Sequence, residues 1–90
     1  MQITVQYLAQ VKRAAGCCCE TVLAAESVTL RELLRSLAGR HDQAFRTLLI
    51  DEAEEPRRSL LFFVGDEHAE LSRHLHDGDA ITILAPMAGG

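Results

Sequence analysis

The chain has 90 residues, 48% of them hydrophobic and 24% charged, with three phenylalanines, one tyrosine and no tryptophan. That is one domain with room for a single modest core but not for a core plus a deep active-site cavity, so a self-contained enzyme is disfavoured, and the composition is neither disordered nor fibrous. A formal net charge of −4, with nine scattered basic residues, has the wrong sign for a nucleic-acid binder and suits a basic partner surface better.

Residues 2 to 8 alternate as Gln-Ile-Thr-Val-Gln-Tyr-Leu, placing Ile3, Val5 and Tyr7 on one face and Gln2, Thr4 and Gln6 on the other, the pattern of a half-buried strand. Met1 leads straight into it with neither a basic n-region nor an apolar h-region, and no apolar stretch approaches the roughly 18 residues of a membrane span. A cytoplasmic protein with no membrane partner is expected. Ala9 to Gly16 reads as a connector closed by a glycine, and Cys17 to Leu23 as a second strand, together a hairpin with its loop at Lys12 to Gly16. Cys17, Cys18 and Cys19 are consecutive, which is neither a disulfide framework nor a zinc-ligand spacing. On a strand, Cys17 and Cys19 would share a face opposite Cys18. They read as small buried or half-buried hydrophobes, with a redox or adventitious metal role as the other reading.

Thr29 and Glu32 have the T-x-x-E spacing of a capping box, and Leu30, Leu33, Leu34, Leu37 and Ala38 follow at helical spacing up to Gly39. This predicts the main helix, its apolar stripe covering the sheet. His41 to Ile50, with Phe45, Leu48 and Leu49 at helical offsets, predicts a shorter helix. Asp51 to Arg58 is a charged loop on the solvated surface. Ser59 to Val64 is a strand, apolar at every position from Leu60 onward, so either both faces are covered or one face meets a partner. Gly65-Asp66 turns the chain, His68 to His76 is irregular or a single helical turn, and His76-Asp77-Gly78-Asp79 is a turn before the last strand. There Ile81 and Ile83 share one face while Thr82 and Leu84 share the other.

The last strand runs into Ala85-Pro86-Met87-Ala88-Gly89-Gly90. Pro86 has no N–H for a sheet ladder, so the strand should peel away there, dividing a domain at 1–85 from a flexible tail at 86–90. Two glycines carry no Cβ and pass through a slot too narrow for a side chain, which suits chemistry on the Gly90 carboxylate inside another protein; the alternative is a frayed terminus. No metal site is expected. His74 and His76 stand at i and i+2, His41 and His68 are isolated, and ligation needs three or four convergent ligands. Asp77 and Asp79 flank Gly78 as turn residues rather than an acid pair.

The sequence resembles the ubiquitin-like β-grasp sulfur carriers, and among them the small subunit of molybdopterin synthase. The resemblance rests on Val5-Gln6-Tyr7-Leu8-Ala9-Gln10-Val11, on Val28-Thr29-Leu30-Arg31-Glu32-Leu33-Leu34, on Leu75-His76-Asp77-Gly78-Asp79 and on Ile81 to Gly90, in that order. It departs at Ala85, where the family often has Pro-Pro in place of Ala85-Pro86, and at Gly65, where the family has Asn after the third strand.

The resemblance implies an α+β fold, a mixed four- to five-stranded sheet packed on one main helix with a Gly-Gly tail. It also implies that a ubiquitin-activating-like adenylating enzyme converts the Gly90 carboxylate to an acyl-adenylate at that enzyme's ATP. A sulfur donor then leaves a thiocarboxylate, and the sulfur passes to a pterin precursor in the large subunit of molybdopterin synthase. No cofactor is expected on the chain itself. Met87, Ala88 and Gly89 would thread the tail. If Thr82 and Leu84 face outward, ubiquitin-like pairing with 60 to 64 sets Phe62 beside them, and Phe62, Leu84, Pro86 and Met87 form the expected partner patch. Carriers for thiamine, tRNA thiolation or cysteine synthesis, and a ubiquitin-like protein modifier joined to lysines through Gly90, are the alternatives.

Overall fold

The computed structural model describes residues 1–86. Its elements are β1 (Gln2–Leu8), α1 (Ala9–Ala15), β2 (Cys19–Leu23), α2 (Leu30–Ala38), α3 (Gln43–Leu49), β3 (Leu61–Val64), β4 (Glu67–His68) and β5 (Ala80–Leu84). The strands form one mixed sheet in the order β2-β1-β5-β3-β4. β1 and β5 run parallel at its centre, with β2 antiparallel to β1 and β3 antiparallel to β5. This is the expected β-grasp: the first and last strands lie side by side, and the helices cover one face.

Alternation in β1 and β5 decides which face that is. Ile3, Val5, Tyr7, Ile81 and Ile83 are buried, and α2 lays Leu30, Leu33, Leu34, Leu37 and Ala38 into the same core. Each of these leucines, isoleucines and valine contributes about 1.5–3 kcal/mol when fully withdrawn from water. The predicted capping box of α2 is formed: the Thr29 hydroxyl accepts from Glu32 N–H at 3.3 Å, and the Glu32 carboxylate accepts from Thr29 N–H at 3.0 Å. Two more first-turn donors are met from outside the helix, Leu30 N–H by the Arg73 carbonyl at 2.9 Å and Arg31 N–H by that of Leu71 at 3.0 Å. The irregular segment before β5 thus completes the helix terminus. Gly39 caps the other end with an ordinary right-handed φ of −87°, so it is not the left-handed stop its identity suggests.

Two expectations are corrected here. Residues 9 to 15 are a helix rather than a loop. Ala, Gln, Lys and Arg are good helix formers, Val11 anchors the segment in the core, and Gly16 ends it at φ +75° with its N–H on the Lys12 carbonyl at 3.0 Å. Leu8 provides no side-chain cap, so the usual start signal is missing from the sequence. β2 begins only at Cys19, so the three cysteines do not alternate along one strand: Cys17 is half-buried against the core, while Cys18 and Cys19 are exposed.

α3 starts at Asp42, whose carboxylate accepts from Phe45 N–H at 3.1 Å. The charged loop after it is exposed but tied down. Asp51 Oδ1 accepts from the N–H groups of Ala53 and Glu55, at 2.8 and 3.1 Å, and Glu55 pairs with Arg31 and Arg35 of α2. Among the described residues no helix is long and apolar enough to cross a membrane.

Candidate functional site

The chain leaves the sheet at the end of β5. This strand is held on both sides, by β1 through Thr4↔Ala80 to Leu8↔Leu84 and by β3 through Leu61↔Leu84 to Val64↔Ile81. The turn leading into it is equally fixed. Asp77 Oδ1 accepts from Gln2 N–H at 2.7 Å, Gly78 N–H donates to the Gln2 carbonyl at 2.8 Å, and Asp79 Oδ2 accepts from His76 N–H at 2.8 Å. Gly78 has φ +88°, a conformation that favours glycine. Asp77 and Asp79 therefore build a turn. After Leu84 the ladder stops, Ala85 is still buried, and Pro86 is exposed. Met87, Ala88, Gly89 and Gly90, the expected threading and attachment residues, lie outside the described residues.

Around this exit the uncovered face of the sheet is apolar. Leu8, Leu84 and Leu61 form one row across β1, β5 and β3, and Gln6, Thr82, Phe63 and His68 form the next, extending to β4. Leu8 is 43% exposed, while Leu61, Phe63 and Leu84 are half-buried. Thr82 Oγ1 donates to Gln6 Oε1 at 3.3 Å, and the ring of His68 stands edge-on to Phe63, centroids 5.8 Å apart.

Leu84 thus lies on the outward face, as its strand phase predicts. Phe62 does not. It pairs with Ile83, is only 5% exposed, and belongs to the core. The expectation that it sits beside Leu84 is one residue out of phase, because the unbroken Leu60 to Val64 apolar run gives no alternation to fix which residues face in. Leu61 and Phe63 take the outward places. Leu8, also missed, had a readable signal: it follows Ile3, Val5 and Tyr7 on the opposite phase of β1.

A second polar group was not anticipated. Glu20 lies on the covered face of β2 opposite Val5, and its carboxylate gathers Tyr7 Oη at 2.7 Å, His41 Nε2 at 2.6 Å and Arg40 Nε at 3.1 Å. His41 also packs on Phe45, ring centroids 4.4 Å apart, so it is not isolated. Burial pushes the Glu20 carboxyl up, but the hydrogen bonds from Tyr7 and His41 and the nearby positive charge outweigh it and hold the group below its ordinary value. Burial first, and then the Glu20 carboxylate, push the Tyr7 phenol up. The cluster joins the sheet edge to the turn between α2 and α3.

A concavity of about 590 Å³ lies between α3 and the 51–57 loop. Two of its charges have partners within the chain, Arg46 in Glu54 at 2.9 Å and Arg57 Nε in the Thr47 carbonyl at 2.6 Å. Among the described residues no group of three or more His, Cys, Asp or Glu could hold a metal ion.

Solved structures match this architecture along the whole chain. SAMP1 from Haloferax volcanii superposes with a TM-score of 0.90 at 21% identity, covering 100% of both chains. A putative molybdopterin converting factor, subunit 1, from Pyrococcus furiosus gives 0.78 at 21% identity, covering 97% of this chain and 99% of that one. A chain of the Amycolatopsis orientalis BexX/CysO complex gives 0.68 at 27% identity, covering 98% and 99%. No curated protein sequence matches at a significant level. A sequence profile of the ThiS family matches residues 5–90, and the chain accordingly belongs to that family, among the ubiquitin-like sulfur carriers.

Proposed function

We propose that the Gly90 carboxylate is the working group of this protein: it is adenylated by a ubiquitin-activating-like enzyme, converted to a thiocarboxylate, and spent as the sulfur source for molybdopterin synthesis. The observation that carries this reading is the mounting of β5. A strand fixed by both neighbours delivers the chain to an exposed proline four residues before Gly90, beside an apolar sheet face.

The chemistry divides between proteins. A carboxylate is a poor electrophile until one oxygen becomes a leaving group, and the sequence has no GxxxxGK[ST] loop to cradle ATP. The adenylating partner supplies ATP, AMP leaves, and a sulfur donor takes its place on the carbonyl carbon. Gly90 is then a covalent carrier, and Gly89 provides clearance where a Cβ would collide. The sulfur-accepting enzyme, in this reading the large subunit of molybdopterin synthase, docks on Leu8, Leu61, Phe63 and Leu84, with Pro86 and Met87 at the entrance to its slot. Such a patch, apolar and next to the reacting terminus, orients the tail without contributing catalytic groups. The exchange takes place in the cytoplasm. The Pyrococcus furiosus relative, described as a putative molybdopterin converting factor subunit, supports this recipient, while the ThiS profile and the BexX/CysO complex are equally compatible with another sulfur-accepting enzyme.

The test is to incubate the purified chain with ATP, a candidate adenylating enzyme and a sulfide source, and record intact mass. The expected result is a gain equal to one oxygen replaced by sulfur, located by fragmentation at Gly90, and loss of that sulfur on adding the large subunit with its pterin precursor. Covalent adducts on lysines of other proteins, with no such mass gain, would instead establish the modifier reading.

A further inference from the structure

The cysteine triplet has no part in the carrier chemistry, yet two of its members are brought together. Cys18 Sγ lies 3.9 Å from Cys19 Sγ, and both side chains are exposed. Cys17 is set apart from them, half-buried against the core beside Ala9, Lys12, Arg13 and Gly16. We infer that Cys18 and Cys19 are a reversible oxidation site that closes to a vicinal disulfide under peroxide-class oxidants and reopens with small thiols. This inference is independent of the sulfur-carrier reading.

The step balances with a peroxide as the electron acceptor. One sulfur, as thiolate, attacks the peroxide oxygen. The O–O bond breaks, a sulfenic acid forms, and the departing oxygen leaves as water after taking a proton. The neighbouring thiol then attacks the sulfenic sulfur, an S–S bond forms, and a second water leaves with the remaining oxygen. Two thiols are oxidised by two electrons in all, and the peroxide is reduced to two waters. A pair at this distance suits the two steps: the hydrogen bond from Cys18 and its charge push the Cys19 thiol up, which favours the protonated form of Cys19. One sulfur serves as nucleophile while the other keeps its proton to resolve the intermediate.

The fold also determines what closure does. Adjacent Cα atoms sit about 3.8 Å apart across a trans peptide, less than the usual disulfide span of roughly 4.4–6.8 Å. The ring therefore strains the peptide joining the two cysteines, and a strained, exposed disulfide is a labile one. The carbonyl of that same peptide accepts Tyr7 N–H at 2.9 Å. Tyr7 is followed by Leu8, the partner of Leu84 at the root of the tail. Closure should loosen the rung of β2 on β1 nearest the exit of the chain and leave the β1–β5 ladder in place.

The experiment treats the full chain with stoichiometric hydrogen peroxide and reads intact mass, peptide fragmentation and amide exchange. The wild type and Cys17→Ser are expected to lose two hydrogens, reversibly with dithiothreitol, with the link mapped to Cys18 and Cys19. Cys18→Ser and Cys19→Ser should form no intramolecular link. In the oxidised wild type the Tyr7 amide should exchange at least tenfold faster, while Val5 is unchanged. A link involving Cys17, disulfide-joined dimers in place of the internal link, or overoxidation without a disulfide would each overturn the assignment. Unchanged Tyr7 exchange in a fully linked sample would overturn its coupling to the sheet.

Discussion

The two faces of the sheet are made from neighbouring residues of the same strands and do different things. In β3, Phe62 and Val64 are buried under the helices, while Leu61 and Phe63, just as apolar, remain half-open to solvent. The covered face is closed by α2 and α3, and its residues hold the fold together. The open face has Leu8, Leu61 and Leu84 in one row where β5 ends and Phe63 in the next, Leu8 exposed and the other three half-buried. Equal hydrophobicity thus carries stability on one side and, in the proposed function, a docking surface on the other, and substitutions in one strand can separate the two.

The largest expected effect is at Phe62. Phe62→Ala should cost about 3–5 kcal/mol in urea unfolding, through lost transfer energy and the cavity left behind. That is a large share of the 5–15 kcal/mol typical of a domain. Phe63→Ala, one position along, should cost about 1 kcal/mol or less. Equal losses would mean that the outer face is also part of the core.

This comparison marks where sequence reading stops. The phases of β1 and β5 were legible because Gln2, Thr4 and Gln6 in one, and Thr82 in the other, break the apolar pattern on alternate positions. The phase of β3 was not, because nothing polar interrupts Leu60 to Val64, and a one-residue shift exchanges its whole set of faces. The capping box at Thr29 and Glu32 was legible from spacing alone. Helix α1 was hidden by its uncapped start, and the group around Glu20 by distance in sequence: Tyr7, Glu20, Arg40 and His41 meet only once the sheet edge and the turn after α2 are assembled.

That group is the polar exception on the covered face and gives the second prediction. Glu20→Ala leaves Tyr7 Oη and His41 without their acceptor and should cost about 1–3 kcal/mol. Its pH dependence has a definite sign. The folded protein holds the Glu20 carboxyl below its unfolded value of roughly 4.3, so the unfolded chain binds the proton first as acid is added. The stabilisation is therefore complete above the unfolded value and is lost as pH falls through the folded one. Glu20→Gln keeps an acceptor for Tyr7 but removes the charge, and should flatten that acid limb in denaturation curves recorded from pH 7 to pH 3. An unchanged limb would assign the acid sensitivity to other carboxylates.

A smaller loss is expected where the covering helix begins. Thr29→Ala removes the acceptor for Glu32 N–H and should cost about 1 kcal/mol, read as a lower urea midpoint with an unchanged slope. Thr29→Ser should recover most of it. A loss confined to the cap would leave the open face, and any partner bound there, unaffected.

The smallest effect on stability should accompany the most selective effect on function. Leu84→Thr replaces an outward, half-buried side chain with a β-branched one suited to a strand, and Ile83 and the core behind it are untouched. The unfolding free energy from urea titration should change by no more than about 0.5–1 kcal/mol. If Leu84 is an anchor of the proposed docking surface, sulfur transfer to the accepting enzyme should nevertheless fall about tenfold, the loss that about 1.4 kcal/mol of binding energy gives. Leu61→Thr, its cross-strand neighbour, should behave alike. Gly90 chemistry is separable from docking, because a thiocarboxylate prepared chemically on the variant bypasses the adenylating enzyme. If that loaded Leu84→Thr protein donates sulfur at the wild-type rate, the apolar row is a feature of the sheet rather than the docking surface. If it is slow at low enzyme concentration and recovers at saturation, the row works through binding alone, as the proposed carrier role requires.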